Sequence, residues 1–211
     1  MDTVAAFQQV FEALQRDGLL LESDSQLPSV ASIIAGEAIR GSWWGHPQGN
    51  IIYQVANDLC VHPDILVTKL VSGKITFVHR QLWPAVIGVG TAGEPWQLQD
   101  LSDAAQSLLD KVTQEHSVTT DQLQLLSRYK SRALGDAARE LEKKLIVYSE
   151  SFHSITGAHY KRLETWARWI SRVGFTEKPM AAEAGKHALE DIVLMLNDRF
   201  GAKGKLPWIR A

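Results

Sequence analysis

Cysteine is almost absent. Cys60 is the only one in 211 residues, which excludes an intramolecular disulfide and any zinc site built on several thiolates. That usage fits a reducing compartment. Long apolar runs are also lacking. The most apolar stretch, Leu82 to Gly90, is about half the length that spans a bilayer, so no membrane partner is expected. The segment Met1-Asp2-Thr3-Val4 is acidic and lacks the basic flank and apolar core of a signal peptide, so the expected location is cytoplasmic.

The phosphate-cradling loop Gly-x-x-x-x-Gly-Lys-Ser/Thr and the fingerprint Gly-x-Gly-x-x-Gly do not occur, and Gly88-Val89-Gly90 is only a fragment of the latter. No Gly-x-Ser-x-Gly elbow is present. Cofactors are therefore expected to be none. Cys60, flanked by Leu59 and Val61, suits a buried apolar thiol rather than a nucleophile. His46, His62 and His79 follow one another at intervals of 16 and 17 residues. They have neither an i, i+4 partner nor a carboxylate at ligand spacing, so no metal is expected.

What is present describes a folded chain. Apolar residues make up 45% and charged residues 22%, a globular composition, and the length suits one large domain or two small ones. The net charge of -2 conceals an uneven distribution. Residues 1–127 hold 14 acidic and 6 basic side chains, whereas residues 128–172 hold 5 acidic and 10 basic. A polyanion-binding surface is thus expected in the second stretch.

Periodicity predicts mainly helices with short β-ribbons, an α+β chain. Val4, Phe7, Phe11 and Leu14, with Val10, mark a first helix that Gly18 stops. A polar bridge from Glu22 to Gln26 leads to an apolar segment, Val30 to Ile39. The breakers of Gly41 to Pro47 predict a loop. Helices are expected over Asn50–Leu59, Asp64–Val71 and Trp83–Gly90, with one short strand over Lys74–His79.

Farther on, Leu101, Ala104, Ala105, Leu108, Leu109 and Val112 share a helix face, with Ser102 as cap. Thr119-Thr120-Asp121-Gln122 has capping-box spacing and opens a short helix through Leu126. Ser131 is placed to cap a third, whose inner face is Leu134, Ala137, Ala138, Leu141 and Leu145. A ribbon follows, from Leu145-Ile146-Val147-Tyr148 through a turn at Ile155-Thr156-Gly157 and back over Ala158–Leu163. Three short helices and a two-stranded ribbon are the order of a winged helix-turn-helix. Leu163, Trp166, Ala167 and Ile170 predict one more helix. Thr176 is expected to cap a last one with Ala188, Ile192, Met195 and Leu196 inward. The expected organisation is an N-terminal helical domain over 1–99, a winged helix over 100–163, and C-terminal helices over 164–211 packing on the core.

Several short stretches occur in a telling order. Leu27-Pro28-Ser29, Trp43-Trp44, Lys69-Leu70, Gly73-Lys74-Ile75-Thr76-Phe77-Val78 and Leu82-Trp83-Pro84 come in succession, and the run Ala137 to Val147 lies downstream. In these residues the chain resembles uncharacterised bacterial winged-helix proteins related to the AlkZ-type alkylpurine DNA glycosylases. The resemblance spans about residues 27–163. It implies tandem winged-helix-like folds and a link to DNA, in repair or regulation. It carries no catalytic site, because the family's Gln/His–apolar–Asp/Gln triplet lies early in the chain within a context missing here. Gln97-Leu98-Gln99 fits the bare triplet only.

The expected partner is duplex DNA, bound without catalysis. Arg128, Lys130 and Arg132 would neutralise phosphates at the start of the third helix. Arg139, Lys143 and Gln124 would supply further contacts, and Lys161 and Arg162 would act from the wing. The alternatives are a base-excision enzyme using the Trp43–Arg80 region and a module that docks a protein partner. For the enzyme, Trp43 and Trp44 are the candidates for stacking a base, and Glu37, His46 and Arg80 for catalysis, beside His79.

Overall fold

The computed structural model describes residues 2–126, 129–153 and 159–209. It is an α+β structure, and its two antiparallel sheets have three strands each. The chain forms two compact units, one of Met1–Val86 with Pro179–Ala211 and one of Ile87–Lys178.

The first unit begins with α1 (Thr3–Asp17), in which the Asp2 side chain accepts from the Ala5 N–H and the Gly18 N–H closes the far end on Leu14. β1 (Leu19–Leu21), α2 (Val30–Ala35), α3 (Gly49–Val61), β2 (Ile65–Lys69) and β3 (Ile75–His79) follow. Strand β3 lies between β1 and β2, with Leu19 opposite Val78 and Ile65 opposite His79. The core joins Val10 and Leu14 of α1 to Val30 and Ile34 of α2, Ile52, Val55 and Leu59 of α3, and Phe77 of β3.

Helix α4 (Trp83–Gly90) leads to the second unit, where α5 (Pro95–Leu98), α6 (Asp103–Glu115), β4 (Ser117–Thr119), α7 (Thr120–Leu126), α8 (Ser131–Lys143), β5 (Tyr148–His153), β6 (His159–Glu164) and α9 (Trp166–Val173) succeed one another. Here β6 is central, with Val118 opposite Leu163 and Tyr148 opposite Glu164. Helices α6 and α8 meet through Ala105, Leu108, Val112, Leu134, Ala138 and Leu141. The order helix, strand, helix, helix, strand, strand therefore occurs twice, each time with the last strand in the middle of its sheet.

The chain returns to the first unit in α10 (Ala182–Phe200). Arg199 on this helix reaches the buried Asp17 carboxylate at 3.0 Å. Beyond it Asn197 exchanges two hydrogen bonds with the Gly204 backbone, Lys205 pairs with Ser72, and Leu206 is buried.

Several expectations need correction. Residues 65–69 form a strand, not part of a helix, because their backbone pairs with 75–79 along its whole length. Strands β1 and β4 were not anticipated, so the expected single strand and the expected two-stranded ribbon each belong to a three-stranded sheet. Val4 points to solvent, and Ala6 and Ala13 take the inner positions of α1. The cap of α8 is Lys130 rather than Ser131, and α10 begins after Ala181 rather than at Thr176. The inner face of α10 is Gly185, Leu189, Val193 and Leu196, which leaves Met195 exposed. In α9 the buried partner of Trp166 is Trp169, while Ala167 faces out. The expected turn at 155–157 lies outside the described residues.

Candidate functional site

Helix α8 positions the cations. Its inner residues Leu134, Ala137, Ala138 and Leu141 are buried at helical spacing, which turns Arg132, Asp136, Arg139 and Lys143 onto the opposite, solvent-facing side. Lys130 is exposed at the N-cap, two residues before Arg132. Arg139 pairs with Asp136 at 2.9 Å. The side chains of Lys130, Arg132 and Lys143 make no hydrogen bond or ion pair with any described residue. Arg128 lies outside the described residues, as does the side chain of Gln124.

Two carboxylates that the charge count set against this face are not on it. Glu140 accepts from the backbone N–H of Ser102 at 3.0 Å and from its hydroxyl at 2.7 Å, and so ties α8 to the start of α6. Glu142 is buried beneath the sheet, where it accepts from the Ser149 hydroxyl and the Lys161 ammonium. Asp136 is the one acidic residue on the exposed face of α8.

The same pairing removes the expected wing cations from solution. Side chains alternate along β6, so Lys161 turns toward Glu142 while Arg162 turns to the other side and meets Glu150. On that side Arg172 of α9 forms two hydrogen bonds to the buried Glu164, and its guanidinium lies 5.7 Å from the Tyr148 ring. Burial, reinforced by Glu150, pushes the Tyr148 phenol up to about 12. This network was invisible in the sequence, since it needs the strand register to bring residues 148, 150, 162 and 164 together.

In the first unit the paired tryptophans have different fates. Trp43 is buried, and Trp44 is 67% exposed. Their rings stack with centroids 4.3 Å apart, and Tyr53 of α3 lies 5.5 Å from Trp44. Ser42 accepts from the Trp44 N–H, and a Cβ at Gly49 would lie 3.1 Å from the carbonyl oxygens of both tryptophans. The loop thus sits directly on the first turn of α3, a close fit that favours glycine.

His46 accepts at Nδ1 from the Gln48 N–H, and its Nε2 is 3.7 Å from the exposed Glu37. Arg80 takes different partners, lying 3.8 Å from Asp64 with its guanidinium over the Trp83 ring. Burial holds the His79 imidazole below its usual range, and the ring packs against Phe11. Gln97 of the bare triplet is 1% exposed and structural. It accepts from the Glu94 N–H and donates to the carbonyls of Gly90 and Lys144. Cys60 is exposed, contrary to the expectation of a buried thiol. Among the described residues, no group of three or more His, Cys, Asp or Glu side chains is placed to hold a metal ion.

No family model matches this chain, and no curated protein or solved structure matches it.

Proposed function

We propose that the chain binds duplex DNA without catalysing a reaction on it, and that α8 is its principal contact. The observation that carries this reading is the separation of charge on that helix. Arg132, Arg139 and Lys143 line its exposed face beside Lys130, while Glu140 and Glu142 are occupied elsewhere. A stripe of cations about 16 Å long, at 1.5 Å rise per residue over Arg132 to Lys143, is suited to phosphates along a groove.

The order of elements supports reading both units as winged helices, with α3 and α8 in the place of the groove-facing helix. On that reading the chain is a tandem winged-helix protein that serves in DNA repair or regulation. DNA is proposed as ligand rather than substrate. Gln97 has its hydrogen bonds satisfied inside the second unit, and Arg80 is held by Asp64 and Trp83 rather than by the Glu37–His46 pair.

The test is a titration of a short labelled duplex at low salt with the parent chain and with Arg132→Ala/Arg139→Ala/Lys143→Ala. The triple variant is expected to lose most of the affinity while keeping its melting temperature, because all three side chains are exposed. Equal affinity of the two proteins would reject α8 as the contact.

A further inference from the structure

Helix α3 occupies in the first unit the place that α8 occupies in the second, as the third helix before two paired strands. Its exposed face is chemically different. Asn50, Tyr53, Gln54 and Asn57 lie along it, with Asp58 at its side and no lysine or arginine. At its N-terminal end stands Trp44.

One face of the Trp44 ring is covered by Trp43, which is itself buried, and Tyr53 leans against it at 42°. The exposure of Trp44 must then come mainly from its other face. Keeping a large apolar ring in water is unfavourable by hydrophobic transfer, yet here the ring is held in place from below and beside. We infer that this open face is a stacking site for an unpaired nucleobase in single-stranded nucleic acid, with the amides of α3 placed to bond base edges and sugars.

The surroundings favour a base over the aliphatic side chains of a peptide. The exposed residues flanking Trp44 in the chain are Gly41, Ser42, Gly45 and Pro47, and the exposed face of α3 adds Asn50 and Gln54, whose oxygen accepts from the Thr3 hydroxyl. A nucleobase combines a flat π-face with polar edges and matches that mixture. The lack of cations on α3 adds a signature. Binding here draws little from counterion release, so its salt dependence is weak, unlike that of a phosphate-contacting helix. The inference does not rest on α8 binding duplex.

The experiment uses the full chain carrying Arg132→Ala/Arg139→Ala/Lys143→Ala, so that α8 does not contribute. A labelled oligothymidylate and an abasic strand of the same length are titrated at low and moderate salt. The expected result is tighter binding of oligothymidylate than of the abasic strand, with tryptophan quenching and little change with salt. Adding Trp44→Ala should weaken oligothymidylate binding by roughly fivefold or more, the effect of losing one stacked base, and Trp44→Phe should recover part of it. Equal binding of the two strands would overturn the inference. So would an unchanged affinity in Trp44→Ala. If that variant does not fold, the strand comparison in the protein that retains Trp44 still decides.

Discussion

Leu141→Ala tests the packing that presents the cations. Leu141 is fully buried, on the face of α8 that meets α6, among Ala105, Leu108, Val112, Leu134 and Ala138. Truncating a buried leucine costs about 2–5 kcal/mol, and the cost rises when the surroundings cannot close on the cavity. Here closure is restricted. Ala105, Ala137 and Ala138 already bring the two helices close, and the Leu141 carbonyl accepts from the Ile146 N–H, which fixes the helix end. The loss should therefore clear the lower end of that range, at about 3–4 kcal/mol. In urea, at an m-value of about 1–2 kcal/mol/M for a unit of this size, the midpoint should drop by roughly 2 M. Tryptophans lie in both units, so hydrogen exchange over 131–147 should accompany the melt, with Arg139→Ala as the exposed control on the same helix. A loss below about 0.5 kcal/mol, or equal effects of the two substitutions, would mean that the inner face of α8 has been misassigned.

Three other outcomes follow from local geometry. A Cβ at Gly90 would lie 2.5 Å from Nε1 of the buried Trp166, whose N–H donates to the Leu145 carbonyl. Gly90→Ala should destabilise the second unit by about 1–3 kcal/mol in denaturant melts, and a neutral effect would contradict the packing. Trp43→Ala should cost about 3–5 kcal/mol, as expected for removing a buried tryptophan, and a cost below 1 kcal/mol would place the ring outside the core. The Tyr148 phenol, raised to about 12 by burial and Glu150, favours the protonated folded state relative to an unfolded tyrosine near 10. Its contribution is intact below about pH 10 and is lost as pH rises toward 12, on the order of 2 kcal/mol. Tyr148→Phe should flatten that part of the pH–stability curve, and parallel curves would refute the assignment.

How much of this was legible depended on whether a signal was local. The inner face of α8 follows from a 3.6-residue period within one helix, and Leu134, Ala137, Ala138 and Leu141 are buried on it, whereas Leu145, also buried, lies past the end of the helix in a left-handed conformation. Strands β1 and β4 were missed because pairing partners far along the chain define them, and β2 because its apolar residues imitate a helix. Leu19-Leu20-Leu21 has no alternation, since all three side chains are buried. Ile65, Leu66, Val67 and Leu70 imitate a helix stripe, and the pairing of residues 65–69 with β3 decides for a strand. The site divides in the same way. Helical spacing placed Arg132, Arg139 and Lys143 on one face. Strand register consigned Lys161 and Arg162 to carboxylates, which a charge count does not register. The difference between Trp43 and Trp44, identical neighbours in sequence, came from tertiary packing, which takes Trp43 into the core of the first unit and leaves Trp44 stacked on it in solvent.

The salt dependence of duplex binding tests the central proposal most directly. Each phosphate contact on duplex DNA contributes roughly 0.9 to the slope of log affinity against log salt. Three cations from α8 should therefore account for about 2–3 units of slope. The parent chain is predicted to bind a duplex at low salt with a slope at least that steep, and Arg132→Ala/Arg139→Ala/Lys143→Ala to be shallower by about that amount. No binding by the parent at low salt, or the same slope in both proteins, would contradict the proposal.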